Sequence, residues 1–305
     1  MRNTNLLLVV LILGLFSAAC QAGTPGTPAG ASSPPRLLAV ESFLADIAQN
    51  VAGSRLKVDS LIPIGLDPHA FEPTPSDAAR IADSSVLIVN GAGLETWLQK
   101  VLDNAGKTGS QQMVITASAS LVSRTGAGQD SDPHFWLDPN NVIVYTENIR
   151  DGLIQADPQG KDVYTQNAAD YIVKLKALDE WIRQQVNQIP PERRLLVTNH
   201  ESLGYFADRY GFKVIGTVVP GTNPDASPSA QQLAHLIDSI KQSGVKAIFL
   251  ETGTNPQLAD QVAQETGVKV VTDLYTHSIS EPGGKAPTYI DMMKYNTQAI
   301  VSALE

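Results

Sequence analysis

The sequence predicts an α/β protein of two Rossmann-like lobes, each a parallel sheet flanked by helices, joined by one long rigid helix. Three observations carry that expectation. From Arg36 onward, short β-rich runs alternate with amphipathic segments, the pattern of a parallel sheet covered on both faces. The alternation occurs twice, before and after the segment Lys161–Gln188. That segment holds no Pro or Gly and places Val163, Tyr171, Leu175, Leu178, Ile182 and Val186 at mostly helical steps, with Ile189 just beyond. At about 1.5 Å per residue it reaches roughly 40 Å, the height of a domain. A connector of this kind is stiffer than crossing strands or a glycine hinge, which argues against large opening motions.

The first twenty residues stand apart from the fold. Arg2 precedes an apolar run from Leu6 to Phe16, then Ser17, Ala18, Ala19 and Cys20. The run is shorter than the roughly 20 apolar residues a bilayer span needs, and its flanks are those of a secretory signal. Small residues before a single cysteine resemble the bacterial lipoprotein signal, although Ser17 stands where that signal usually has leucine. Cys20 is the expected lipidation site; the plainer alternative is an ordinary cleaved signal. Residues 21–35, rich in Gly, Pro, Ser, Thr and Ala, read as a flexible tether. The remaining chain has no cysteine, so an exported domain must be held by its core rather than by disulfides. A net charge of −9 argues against nucleic acid as a partner and is compatible with a cationic ligand.

The N-terminal lobe, residues 36–158, is expected to contain strands at Leu37–Val40, Leu56–Ile64, Val86–Val89 and Met113–Thr116, with helices at Ser42–Val51 and Leu94–Leu102. Thr74-Pro75-Ser76-Asp77 opens a further helix: Thr74 caps it, Pro75 suits its first position and Asp77 closes a capping box. Asp138-Pro139 opens another. The connecting helix occupies 159–189. The C-terminal lobe, 190–305, is expected to hold strands at Leu195–Thr198, Lys213–Val219, Ala247–Glu251 and Val268–Asp273. Its helices are Ser202–Tyr210, Ser229–Ser243, Pro256–Thr266 and about Thr288–Leu304.

In open α/β sheets ligands bind beyond the carboxyl ends of the strands. Of five histidines, four fall there: His69 in GLDPHAFEPTPSD, His134 in SDPHFWLDP, His200 in VTNHESLGYF and His277 in VTDLYTHSIS. Any one alone reads as a hydrogen-bonded loop histidine. Together they offer four nitrogen donors, a set that suits tetrahedral zinc. In both DPH loops the proline fixes its own φ and restricts its predecessor, so each imidazole stands on a stiff stem. His235, inside QQLAHLIDSIK, reads as structural or solvated. Asn90-Gly91-Ala92-Gly93 lacks the third glycine of a dinucleotide loop and reads as a strand-to-helix turn.

GLDPHAFEPTPSD, VNGAGLETWL, DPHFWLDP, VTNHESLGYFADRYGF and APTYIDMMKYN together resemble, in order, segments of the zinc- and manganese-binding solute-binding lipoproteins of bacterial ABC importers. The resemblance runs from about Arg36 to the C-terminus. It implies a lipid-anchored, extracytoplasmic or periplasmic receptor, monomeric, which captures a divalent metal between its lobes and delivers it to a permease and its ATPase. It implies no enzymatic activity. The family's histidine ligands match His69 and His134, its third ligand matches His200, and its fourth, usually Asp or Glu, falls at His277. Asp273 is the alternative carboxylate or an orienting partner; Asp67, Asp132, Glu201 and Glu251 are further candidates for orienting the imidazoles. An all-imidazole set favours Zn²⁺, since manganese favours carboxylate oxygens; Mn²⁺ and Fe²⁺ are the alternatives. Residues 123–132 lack the His-rich loop often carried by zinc-dedicated members. The reading from another class is an exported zinc hydrolase, which would use three histidines and a glutamate base.

Overall fold

Leu37–Ala39 (β1) alternates its side chains between two apolar layers, and the same logic repeats through both sheets. The computed structural model describes residues 34–104, 112–125, 131–222, 224 and 226–305, so Cys20, the signal and most of the tether lie outside the described residues. After β1 come Ser42–Ala52 (α1), Val58–Ser60 (β2), Pro75–Asp83 (α2), Val86–Val89 (β3), Leu98–Asn104 (α3) and Met113–Thr116 (β4). A short antiparallel pair, Arg124–Thr125 (β5) with Ser131–Asp132 (β6), leads to Pro139–Ala156 (α4). Lys161–Val186 (α5) follows, and then Leu195–Thr198 (β7), Gly204–Tyr210 (α6), Lys213–Thr217 (β8), Ala230–Ser243 (α7), Ala247–Glu251 (β9), Gln257–Thr266 (α8), Lys269–Leu274 (β10) and Tyr289–Leu304 (α9).

Both main sheets are parallel and have the same connectivity. The first runs β2-β1-β3-β4, the second β10-β9-β7-β8. In each, the chain starts on an inner strand, steps to one side, then crosses to the other. A switch point therefore lies between β1 and β3 in one lobe and between β7 and β9 in the other.

The α/β class, the two parallel sheets and the long helix are as expected; several boundaries differ for local reasons. The strand expected over 56–64 is confined to Val58–Ser60, although Leu61 and Ile62 still donate to Ala39 and Val40. Pro63 has no N–H to continue the ladder, and Gly65, at φ 87°, turns the chain away. The helix expected from Leu94 begins at Leu98: Gly91, Ala92 and Gly93 all have positive φ, and the chain continues as turns over 94–97 before the helix starts. The strand expected to run to Val219 ends at Thr217, and β10 carries an irregularity between Val271 and Leu274. The predicted capping box on α2 is present in full, with Thr74 and Asp77 satisfying each other's backbone N–H groups.

α5 buries Tyr164, Ala168, Tyr171, Leu175, Leu178, Ile182 and Val186 along one stripe. It packs against α1 and α4 on the first lobe and against α6 and α9 on the second. One continuous apolar cluster runs from Leu37 in β1 through α4 and α5 to Phe249 in β9 and Leu304 in α9. The lobes thus share a core in addition to a connector. No described helix is long and apolar enough to cross a membrane.

Candidate metal centre

Four loops converge where the carboxyl edges of the two sheets face each other. Gly65–Ala70 follows β2 and carries His69. The segment after β6 carries His134, with a 3-10 turn at Phe135–Leu137. His200 follows β7, and His277 lies three residues beyond β10. One ring nitrogen from each of these four histidines lies within 4.8 Å of those from the other three. His134 Nε2 is the hub, 3.2 Å from His69 Nε2, 3.1 Å from His277 Nε2 and 3.3 Å from His200 Nε2. A tetrahedron with Zn–N arms of 2.0–2.1 Å has N···N edges of about 3.3 Å. The three edges that meet at His134 therefore have the length of a tetrahedral zinc site, and the other three are no longer than 4.8 Å.

The Nδ1 atoms of His134, His200 and His277 lie near oxygen atoms, which favours turning their Nε2 lone pairs inward. Asp132 Oδ1 lies 2.8 Å from His134 Nδ1 and also accepts the His134 backbone N–H at 3.0 Å. Glu251 Oε1 lies 3.0 Å from His200 Nδ1, an ion-pair contact off the straight hydrogen-bond line. Glu251 is itself fixed by Ser202 Oγ at 2.9 Å and by Asn199 Nδ2 at 3.4 Å. Thr276 Oγ1 is 3.1 Å from His277 Nδ1. Asp67 repeats the Asp132 arrangement one loop away: its Oδ1 accepts the His69 backbone N–H at 2.8 Å. Each DPH tripeptide is therefore a small Asx-type turn, with the aspartate holding the N–H of its own histidine.

Burial and charge divide the imidazoles. His134 and His200 are fully buried, and His277 nearly so. Burial is the main force that pushes His69 down to about 3, with the His277 charge adding to it; burial likewise takes His277 to about 3. Burial and then the three neighbouring imidazoles hold His134 well below the ordinary histidine value. His200 is the exception. Burial pushes it down, but the Glu251, Asp67 and Asp132 carboxylates outweigh burial and lift it above 6.5. Glu251 answers in kind: despite burial, His200 and His277 with the Ser202 hydroxyl draw it down to about 2.

A cavity of about 500 Å³ opens onto this centre, with Asp67, Glu251 and His277 in its wall beside Asn199, Thr252 and Ser278. The other expected residues fall elsewhere. Asp273, the alternative fourth carboxylate, is outside the histidine group; it accepts Lys285 Nζ at 2.7 Å and the Tyr295 hydroxyl. Glu201 lies in the turn after His200, near Asp132, and its N–H donates to the Gly221 carbonyl at 2.9 Å. His235 lies in α7, lining a different cavity beside Arg124 and Ser239.

Several supporting residues escaped the sequence reading. Trp136 Nε1 donates to the Thr276 carbonyl at 2.6 Å, tying the His134 loop to the residue before His277, and its ring stacks on Phe43. Trp97 Nε1 donates to the Pro68 carbonyl at 3.2 Å, beneath His69. Ser278 Oγ accepts the Gly65 N–H at 2.8 Å and contacts Ser42 Oγ at 3.1 Å, joining loops of the two lobes. In DPHFWLDP the buried tryptophan beside a ligand-type histidine was the available signal; for the serines there was none.

Comparison with known proteins identifies metal-binding relatives of the whole chain. The profile of the family described as zinc-uptake complex component A, periplasmic (ZnuA), matches residues 38–303. The manganese-binding lipoprotein MntA of Halalkalibacterium halodurans is 35% identical over 304 residues, covering 100% of this chain and 99% of the relative. The metal ABC transporter substrate-binding lipoprotein FimA of Streptococcus parasanguinis is 32% identical over 305 residues, 98% of this chain and 96% of the relative. Among solved structures, the periplasmic zinc-binding protein TroA from Treponema pallidum superposes with a TM-score of 0.83 at 26% identity, over 89% of this chain and 99% of that one. A manganese-bound periplasmic metal-binding protein from Candidatus Liberibacter asiaticus gives 0.79 at 30% identity, over 89% and 100%. The relatives are substrate-binding components of ABC transporters and not enzymes, which sets aside the hydrolase alternative. The chain belongs to the zinc-uptake component A family of metal-binding ABC-transporter proteins.

Proposed function

We propose that this protein is the extracytoplasmic receptor of an ABC importer, and that it captures Zn²⁺ on His69, His134, His200 and His277 for delivery to a permease and its ATPase. The observation that carries the zinc reading is the donor set: four clustered imidazole nitrogens, three of them 3.1–3.3 Å from His134 Nε2, with no carboxylate in the group. Imidazole suits zinc, whereas manganese favours oxygen ligands and higher coordination numbers. Asp132, Glu251 and Asp67 supply negative charge around the centre and leave the inner shell to nitrogen. Lipidation at Cys20 and the tether would hold a monomeric receptor at the outer face of the membrane, within reach of its permease.

Manganese is the second reading, because the 35%-identical relative is a manganese-binding lipoprotein. Glu251 and Asp67, both on the wall of the adjoining cavity, are the oxygen donors a harder ion would recruit. Metal analysis of protein purified without added metal, followed by competition between zinc and manganese, separates the two. Zinc retained at one equivalent and undisplaced by excess manganese is the expected result. Manganese displacing zinc at comparable concentration would overturn the zinc assignment and leave the receptor reading in place.

A further inference from the structure

Each lobe has its own switch point, and the two are furnished differently. In the C-terminal lobe, β7 runs into His200 and β9 ends at Glu251, both in the metal centre. In the N-terminal lobe the matching positions, just past β1 and β3, are Glu41 and Asn90. Glu41 is 1% exposed, and no donor reaches either of its carboxyl oxygens among the described residues. The polar group that faces it is another carboxyl, that of Glu95. Glu95 is already supplied with donors: Oε1 accepts the Asn90 N–H at 2.5 Å and Oε2 the Gly91 N–H at 3.1 Å. Two buried carboxylates in contact repel, and a carboxylate without donors is among the costliest groups to bury. A carboxylic acid facing a carboxylate has the partner it needs.

We infer that Glu41 is a neutral acid that donates its proton to the Glu95 carboxylate, and that this pair, through Asn90, positions the loop carrying His134. The link to the metal centre is short. Asn90 is fully buried; its Nδ2 donates to the Pro133 carbonyl at 3.1 Å, one residue before His134, and its Oδ1 accepts the Tyr145 hydroxyl. Its carbonyl accepts Ser118 Oγ at 2.6 Å. Glu95 grips the backbone N–H groups at the start of a turn in which Gly91, Ala92 and Gly93 are all left-handed, with φ of 83°, 54° and 85°. That turn is strained at Ala92, so a fixed anion at its mouth is what keeps Asn90 in register. Burial, then the repulsion between the two groups, raises Glu41 well above the ordinary carboxylate range, in keeping with a proton held there.

The inference depends on the metal-receptor reading for its functional half and stands without it for the protonation half. Infrared difference spectra between the metal-free wild type and Glu41→Gln should show loss of a protonated-carboxyl C=O band at neutral pH. The absence of such a band in the wild type would overturn the proton assignment even in a protein that binds no metal. For positioning, zinc affinity is read by chelator competition, with the visible spectrum of the cobalt(II) form as a signature of ligand geometry. Glu41→Leu removes the donor, and Glu95→Gln replaces one acceptor oxygen with an NH₂ group facing backbone donors. Each should weaken zinc binding about 10-fold or more and alter the cobalt spectrum. Glu41→Gln keeps a neutral donor and should recover most of the affinity lost in Glu41→Leu. If the glutamate variants fail to fold, Asn90→Asp, which cannot donate to Pro133, should give the same weakening. Equal losses in Glu41→Gln and Glu41→Leu would sink the neutral-donor role, and wild-type affinity and spectrum in Asn90→Asp would sink the positioning route.

Discussion

His200 differs from the other three histidines in what surrounds its outer nitrogen, and that difference sets the proton linkage of the site. His69, His134 and His277 are held below their ordinary value and are already neutral near pH 6, whereas His200 is raised above 6.5 by Glu251, Asp67 and Asp132. Metal binding requires neutral imidazoles. On lowering the pH from about 7 to 5, zinc affinity should fall with a slope near one proton per metal, about tenfold per pH unit. Isothermal titration in buffers of different ionisation enthalpy measures that proton count; a value near four would mean that the imidazoles titrate independently. The metal-free protein has the opposite balance. Three folded-state values lie below the unfolded 6.5, so the unfolded chain takes up protons that the folded one refuses, and stability should fall as the pH drops from about 6.5 toward 3. His200 opposes this with one group against three, its contribution being full below 6.5 and lost as the pH rises through its raised value.

At the same scale, on the proposed ligand set His277 falls where the family resemblance implies a carboxylate, so substitution there should shift metal preference. His277→Ala should weaken zinc binding about 10-fold or more, since loss of a ligand costs at least as much as loss of its supporting partner. His277→Asp should recover part of that loss and move preference toward manganese, because it introduces charge and a harder donor. Asp273→Ala and His235→Ala should change neither property, as Asp273 is engaged by Lys285 and His235 lies on α7, facing a different cavity. Competition titrations on the four variants separate these outcomes. Loss of binding in Asp273→Ala with none in His277→Ala would reassign the fourth ligand.

Among the elements, α5 makes the sharpest prediction, because of the two hydroxyls on its buried stripe that of Tyr164 donates to Asp157 and that of Tyr171 does not find a partner. The Tyr171 hydroxyl is buried and has no hydrogen-bond partner among the described residues. Burying a hydroxyl without a partner costs about 1–3 kcal/mol, so Tyr171→Phe should leave stability unchanged or raise it by about 1 kcal/mol. Leu175→Ala, on the same stripe between the lobes, should cost about 2–5 kcal/mol through the cavity it leaves. Urea denaturation of the two variants gives both signs. A destabilised Tyr171→Phe would mean that the hydroxyl has a partner after all. The sequence showed this helix plainly, because its apolar steps are local and need no knowledge of what covers them. The start of α3 at Leu98 was hidden, since three successive left-handed residues are read from backbone angles and not from residue type.

For the whole molecule, the shared core matters more than the connector alone. Apolar packing runs without interruption from β1 to α9, so separating the lobes would expose it. Metal should therefore order the four loops without swinging the lobes, and small-angle scattering should give nearly the same radius of gyration with and without zinc. A marked compaction on binding would show that the shared core opens. Zinc should still raise the melting temperature strongly, since a ligand present at 1,000 times its Kd adds about 4 kcal/mol to stability.

The sequence by itself determined the α/β class, the doubling of the sheet, the connecting helix and the four histidines at strand ends. Each of these is written in local periodicity, in capping residues such as Thr74 and Asp77, or in short stiff motifs such as DPH, and local signals survive reading one residue at a time. Only the tertiary structure decided which carboxylates serve which imidazoles. Glu251 meets His200 across 51 positions of chain, Trp136 reaches the carbonyl of Thr276 across 140, and Asp273, four residues from His277, turns away to Lys285. The proposed Glu41–Glu95 pair is of the same kind, since its two residues lie on the segments that leave the neighbouring strands β1 and β3. Proximity in sequence does not set these contacts, because strand order brings together residues that the chain keeps far apart, and burial then fixes which of them carry charge.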